Sequence, residues 1–411
     1  MLKPFLILLF TVIVAGNGHS QSRSLDYYLS SAAKNSPLLQ DYVNQLHSES
    51  IDSLLALSAY KPQVIITSQA LFAPVGKNIG YDEAITNGGN YAALISVKQS
   101  LFNANVRSLQ LENISLLKQS LVVNKILSLT ELKKSITLQY ITAYAGYKQM
   151  QFNSRMIEML TEQQKATSYL VEAGIYLQTD LMNLAVSKTG MEIANKQTYI
   201  QYRNDIAILN LLSGIVDTAR VELEKPMLEL SNPYSLQQSP VMLQFTIDSL
   251  KNSMARKTIE LNYRPKLEAF ADAGFMAVKP LNIPRNFGTS FGLNFSIPVY
   301  DGKQRSLEIN KIQIAEDSRL RYREFYTSQY RQQYLQINQQ LHLNDELVSD
   351  INRQLSQQKE LIELYKTEIE KGLVKFSDFL LAINNYASTQ NSLALAEINR
   401  MLLINQLNFL K

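Results

Sequence analysis

Phe287-Gly288-Thr289-Ser290-Phe291-Gly292-Leu293-Asn294-Phe295-Ser296-Ile297-Pro298-Val299 puts large, mostly apolar side chains at odd positions and small or polar ones at even positions. Successive side chains of a strand point to opposite faces, so this stretch predicts one greasy face and one small, polar face. Three further stretches repeat the pattern. Leu267, Ala269, Ala271, Ala273 and Phe275 oppose Lys266, Glu268 and Asp272. Tyr91, Ala93, Ile95, Val97 and Leu101 oppose Ser96, Lys98 and Ser100. Val64, Ile66, Ala70 and Phe72 oppose Thr67 and Gln69. One such strand alone is more often half of a soluble core. Four together, each of roughly 9–11 residues, match strands that cross a bilayer at a tilt. Lipid-facing positions are therefore expected at Phe72, Tyr91, Ile95, Phe275, Phe291, Leu293, Phe295 and Ile297.

The strands belong to a duplicated unit. Ser36-Pro37 recurs as Ser239-Pro240 and Tyr60-Lys61-Pro62 as Tyr263-Arg264-Pro265, each 203 residues on. Arg107, Gly174 and Asp180 recur as Arg305, Gly372 and Asp378, each 198 residues on. A repeat this long defines the architecture before any single motif does. Each copy opens with an amphipathic helix, Pro37 to Ala59 and Pro240 to Asn262. Each helix stops at an X-Pro step that disfavours α geometry. After the strands, Arg107 to Gly174 and Arg305 to Gly372 run without Pro, predicting helical rods of roughly 100 Å. In the second rod Tyr330, Tyr334, Ile337, Leu341, Asn344, Val348, Ile351, Leu355, Gln358, Ile362, Tyr365 and Ile369 step by four and three, a coiled-coil seam. Each rod ends at a Gly suited to a helix C-terminus. Thr179-Asp180 and Ser377-Asp378 are then suited to start returning helices at about 180 and 378.

Residues 1–20 read as a secretory signal, with Lys3, an apolar run from Phe5 to Ala15 and small residues before Gln21. Of 40 basic residues, losing Lys3 against 36 acidic ones leaves a net charge of about +3, which gives no electrostatic case for nucleic acid. Cysteine is absent, so disulfides and a lipid-acylated Cys are excluded. The three His lack metal-ligand spacing, and no complete phosphate-binding loop occurs. The expectation is a non-enzyme without cofactor or metal. Four strands cannot close a barrel, and an open edge in lipid leaves backbone groups unpaired at several kcal/mol each. Copies of the chain must then pool their strands.

The order helix, two strands, long helix, Gly-x4-[Ser/Thr]-Asp tip and returning helix, twice over after a signal peptide, resembles the TolC-like outer membrane efflux proteins. The likeness covers residues 25–411. It implies a mainly α chain with a membrane β part: a homotrimer with a twelve-stranded barrel in the outer membrane of a Gram-negative bacterium and a periplasmic α-helical coiled-coil tunnel. The implied domains are the signal at 1–20 and a first repeat at 21–214, with strands at about 63–73 and 90–102. A belt segment at 215–235 follows, then a second repeat at 236–411, with strands at about 265–276 and 287–300. Gly174, Thr179, Gly372 and Ser377 would form tips that meet a periplasmic adaptor, itself joined to an inner-membrane pump. Asp378, Lys375 and Asp180 would stand at the tunnel mouth. Val374 and Leu381 occupy positions where the family carries further gate charges, so Asp378 alone carries that gate over. The implied function is a passive exit duct for small toxic compounds. Two alternatives stay open: a duct for type I protein secretion, or a periplasmic coiled-coil scaffold or adaptor that never enters lipid.

Overall fold

The computed structural model describes residues 21–77, 79–82, 88–101, 104–230, 236–369 and 373–410. Residues 1–20, expected to be a signal segment, and Gly372 lie outside them. The elements run β1 (Gln21–Arg23), α1 (Leu25–Asn35), α2 (Pro37–Ala59), β2 (Gln63–Phe72), β3 (Gly89–Leu101), α3 (Ala104–Glu172) and α4 (Gln178–Ser213). Then come β4 (Val221–Leu223), α5 (Pro240–Asn262), β5 (Lys266–Ala277), β6 (Phe287–Ser296), α6 (Gln304–Ile369) and α7 (Phe376–Asn408). The chain divides into two compact units. One holds the residues up to Ser36 with Glu131–Ser231 and Leu335–Phe409; the other holds Pro37–Thr130 and Asn232–Tyr334 with the last two residues.

The second unit carries the four-stranded antiparallel sheet, in the order β2-β3-β5-β6. Its register aligns the greasy rows across all four strands. Val64 pairs with Val97, Val97 with Ala271 and Ala271 with Phe291; Ile66, Ile95, Ala273 and Thr289 form the next row. A slip of one residue would scatter these rows over both faces, so the shared alternation sets the register. β6 ends at Ser296 rather than at about 300, because Pro298 has no N–H for a ladder. Beside the sheet, α2 meets α3 through Ser128 and Tyr42, whose hydroxyls lie 3.2 Å apart. α5 meets α6 where Glu316 accepts from the Ser249 hydroxyl and the Asn252 amide, both at 2.9 Å.

The first unit is helical. A buried cluster joins Tyr28 and Ala32 of α1, Ile136, Tyr140 and Tyr144 of α3, Tyr202 and Leu209 of α4, and Val221 and Leu223 of β4. α1 and the parallel pairing of β1 with β4 are absent from the sequence expectation. Three-residue strands show no readable period, and their partners lie some 200 residues apart. The seam on α6 follows the expected steps: Leu341, Asn344 and Ile351 are buried, and Ile337, Val348, Leu355, Gln358, Ile362 and Tyr365 are half-buried. Asn344, 6 % exposed, donates to the Ala396 carbonyl at 3.0 Å and accepts from Asn399 at 2.9 Å.

Candidate membrane sheet and helical tips

The central strand β3 is inside out, while the outer strands β2 and β6 are exposed along both faces. On β3, Ile95 is 50 % exposed and Val97 36 %, while Ser96 between them is 6 % exposed. Phe291 reaches 88 %, and Phe72, Phe275, Leu293 and Phe295 are exposed on the same face. Tyr91 is half-buried in that row, and Ile297 is exposed just beyond the end of β6. The Phe275 and Phe287 rings meet edge-on across neighbouring strands, centroids 5.4 Å apart. Each large apolar side chain left in water forgoes about 1.5–3 kcal/mol of burial. Seven or eight of them forgo on the order of 10 kcal/mol or more, as much as a domain's whole net stability.

The opposite face carries Ser96, Lys98, Glu268, Asp272, Ser290 and Asn294, with Ser290 donating to Asp272 at 3.3 Å. Gly292 belongs to this face because the Phe270 ring lies over it; an added Cβ would sit 2.6 Å from the ring. Among the described residues no strand pairs with the outer edge of β2 or of β6. The sheet thus leaves a greasy face uncovered and ends in two open ladders.

The tips lie in the helical unit. α3 closes with Gly174 at a φ of +73°, which Gly adopts without Cβ strain, while Ile175 N–H returns to the Leu170 carbonyl at 2.9 Å. α4 begins at Gln178 and α7 at Phe376, about half a turn before the expected starts at 180 and 378. The aspartates act from inside the first turn. The Asp180 carboxylate reaches back to accept the Leu177 N–H at 3.1 Å, the acidic half of a capping box. Asp378 holds the equivalent position in α7 and accepts from the Ser377 hydroxyl at 3.3 Å. Both tips rest on one apolar cluster built by Met156 and Leu160 of α3, Leu184 of α4, and Phe379 and Ile383 of α7, with Ile362 and Tyr365 of α6 against it. This cluster brings Gly174, Thr179 and Asp180 to the same end of the unit as Lys375, Ser377 and Asp378. Thr179, Lys375, Ser377 and Asp378 are exposed, and Asp180 is half-buried. Burial, and after it the nearby Asp180 charge, raise the pKa of Tyr176.

One polar arrangement escaped the sequence reading. The Arg23 guanidinium pairs with the Asp217 carboxylate beside the β1–β4 pair. The Ala219 N–H first and Arg23 next hold Asp217 below the usual carboxylate range. The Tyr140 hydroxyl lies 2.9 Å from the Arg23 carbonyl and 2.8 Å from the Glu224 carbonyl, donating its one proton to either. Tyr202 donates to the Val221 carbonyl at 2.7 Å. Burial pushes both tyrosines' pKa values up. These contacts tie the segment between the two copies to α3 and α4.

No grouping of His, Cys, Asp and Glu suited to a metal occurs among the described residues. His47 is exposed, and exposed His342 faces Glu346 at 3.4 Å. Among the described residues no helix is long and apolar enough to cross a membrane.

No protein-family model matches this chain, and no curated protein matches it in sequence. Solved structures do. The outer-membrane channel OprN aligns over 94 % of this chain and 89 % of its own, at a TM-score of 0.76 and 14 % identity. The outer membrane protein VceC from Vibrio cholerae aligns over 93 % of this chain and 96 % of its own, at 0.73 and 11 %. The Campylobacter jejuni CmeC outer membrane channel aligns over 94 % and 85 %, at 0.74 and 12 %. The chain has the fold of these outer-membrane channels, and the TolC-like resemblance is borne out at the level of the fold.

Proposed function

We propose, from a fold shared with outer-membrane channels, that this chain is the outer-membrane exit duct of a tripartite efflux system, passively conducting small toxic compounds out of the periplasm. The observation that carries this reading is the continuous greasy face left exposed across four strands, with two open edges. Lipid satisfies the greasy face, and a second copy satisfies each edge. Four strands per chain fall short of the eight in the smallest outer-membrane barrels, so copies must pool them. Three copies, as the family resemblance implies, make a twelve-stranded barrel with the small, polar side chains lining the passage. The helices form its periplasmic part, and Gly174, Thr179, Gly372 and Ser377 meet an adaptor joined to an inner-membrane pump. Asp378, repeated by symmetry, places an acidic ring at the mouth, with Lys375 and Asp180 beside it. A soluble scaffold or adaptor would have no use for a sheet whose apolar side faces outward.

The test pairs location with phenotype. Heat-modifiable oligomers in the outer-membrane fraction, and hypersensitivity of a deletion strain to a panel of dyes, detergents, antibiotics and metal ions, are expected. Recovery of the chain in the soluble periplasm would refute the duct. An unchanged panel together with a depleted secreted proteome would assign it to protein secretion instead.

A further inference from the structure

At the helix-side end of the sheet the last greasy row is Leu101, Leu267 and Phe295. Immediately beyond it the chain leaves β6, and Val299 and Tyr300 stand almost fully exposed. There the end of α5 and the start of α6 enclose an open groove of about 510 Å³ lined by Arg256, Glu260, Tyr263, Tyr300, Lys303 and Arg305, among others. Its two carboxylates are already engaged. Glu260 pairs with Arg256 at 3.1 Å. Asp301 accepts the Lys303 and Arg305 backbone N–H groups at 2.9 and 2.7 Å. The Arg305 guanidinium lies over the Tyr263 ring, 5.6 Å from its centroid, and forms no ion pair among the described residues. The exposed Lys303 ammonium makes none either. Lys303 also holds a φ of +71°, the one positive φ outside glycine among the described residues. A bulky side chain rarely sits there, where Gly or Asn would fit more easily. Two cations without carboxylate partners thus flank a tyrosine within a few residues of the apolar edge.

From this geometry we propose that the groove binds the phosphate of an anionic phospholipid headgroup in the bilayer leaflet nearest the helices. The proposal rests on the membrane reading of the sheet. Acyl chains lie against the Leu267–Phe295 row, Tyr300 sits at headgroup depth, and Lys303 and Arg305 neutralise the phosphate. The first copy of the repeat keeps Arg107 at the position matching Arg305 but has Asn105 at that matching Lys303, so the paired cations belong to the second copy.

The experiment uses the full-length protein purified in detergent and titrated with phosphatidylglycerol, phosphatidylcholine or inorganic phosphate, retained lipid being counted after gel filtration. Phosphatidylglycerol is expected to be held in preference to zwitterionic phosphatidylcholine, and about 0.5 M salt to weaken it. The variant Lys303→Gln/Arg305→Gln is expected to lose affinity on the order of tenfold. Equal retention by wild type and variant overturns the proposal, and displacement by millimolar inorganic phosphate assigns the groove to free anions instead. Insertion into liposomes and heat-modifiable migration are followed in parallel. Wild type that fails to insert refutes the membrane reading, whereas normal insertion with unchanged lipid retention refutes the headgroup site alone. Should the double variant fail to assemble, Lys303→Gln carries the test, since that ammonium forms no ion pair among the described residues.

Discussion

The ring of Phe270 lies across Gly292 on the neighbouring strand, so close that a Cβ at 292 would meet it at 2.6 Å. The large side chain covers a position that the partner strand leaves empty. Gly292→Val is expected to force the ring aside at about 1–3 kcal/mol of overpacking. The readout is the yield of heat-resistant oligomer, and Phe270→Ala in the same chain should restore it. Failure of that rescue would show that Gly292 is needed for its backbone rather than for the space beside it.

Asp180 and Asp378 occupy matching positions in α4 and α7 but should respond differently. Asp180→Ala loses the bond to the Leu177 N–H and should lower stability by about 1 kcal/mol. Asp378→Ala should leave the thermal midpoint nearly unchanged, yet reduce the cation preference of the duct roughly twofold or more in a planar bilayer. Unaltered ion selectivity would remove Asp378 from the mouth.

Asn344 is a buried polar residue in an otherwise apolar seam. Asn344→Leu removes its bonds to the Ala396 carbonyl and the Asn399 amide, a loss of about 0.5–1.5 kcal/mol each. Denaturant unfolding measures it.

Acid should loosen the contact between α5 and α6. Hydrogen bonds from Arg319 first, then from Asn252 and Ser249, lower the Glu316 pKa from 4.5 to about 2. A depressed carboxylate pKa stabilises the fold above the unfolded value and stops doing so as pH falls through the folded one. The stability gap between wild type and Glu316→Gln should therefore be constant above about pH 5 and close between about pH 4.5 and 2. A gap that persists at pH 2 would contradict this assignment.

Tyr140 and Tyr202 anchor the segment between the two repeats. Tyr140→Phe and Tyr202→Phe should each cost about 1 kcal/mol, and amide exchange should quicken at Val221–Leu223 before it does in the long helices.

The sequence by itself determined whatever is periodic and local. Alternation at 287–296 shows a strand, steps of four and three from Tyr330 show a seam, and X-Pro after Ala59 and Asn262 ends two helices. These follow from neighbouring residues alone, and the duplication lets each copy check the other. Of the tips, Gly174 and both aspartates were legible, but the half-turn offset of the helix starts was not, since an Asp can cap from outside a helix or from its third position. The four shared patterns already pointed Ile95 outward, but only the tertiary structure decided that Ser96 behind it is covered, because alternation does not say what packs on the opposite face. It also decided the pairing of Gln21–Arg23 with Val221–Leu223 and the grip of Tyr140 on both. Such contacts join residues far apart in the chain through single hydrogen bonds, which leave no period in a sequence and become definite only when the packed helices hold their groups within reach.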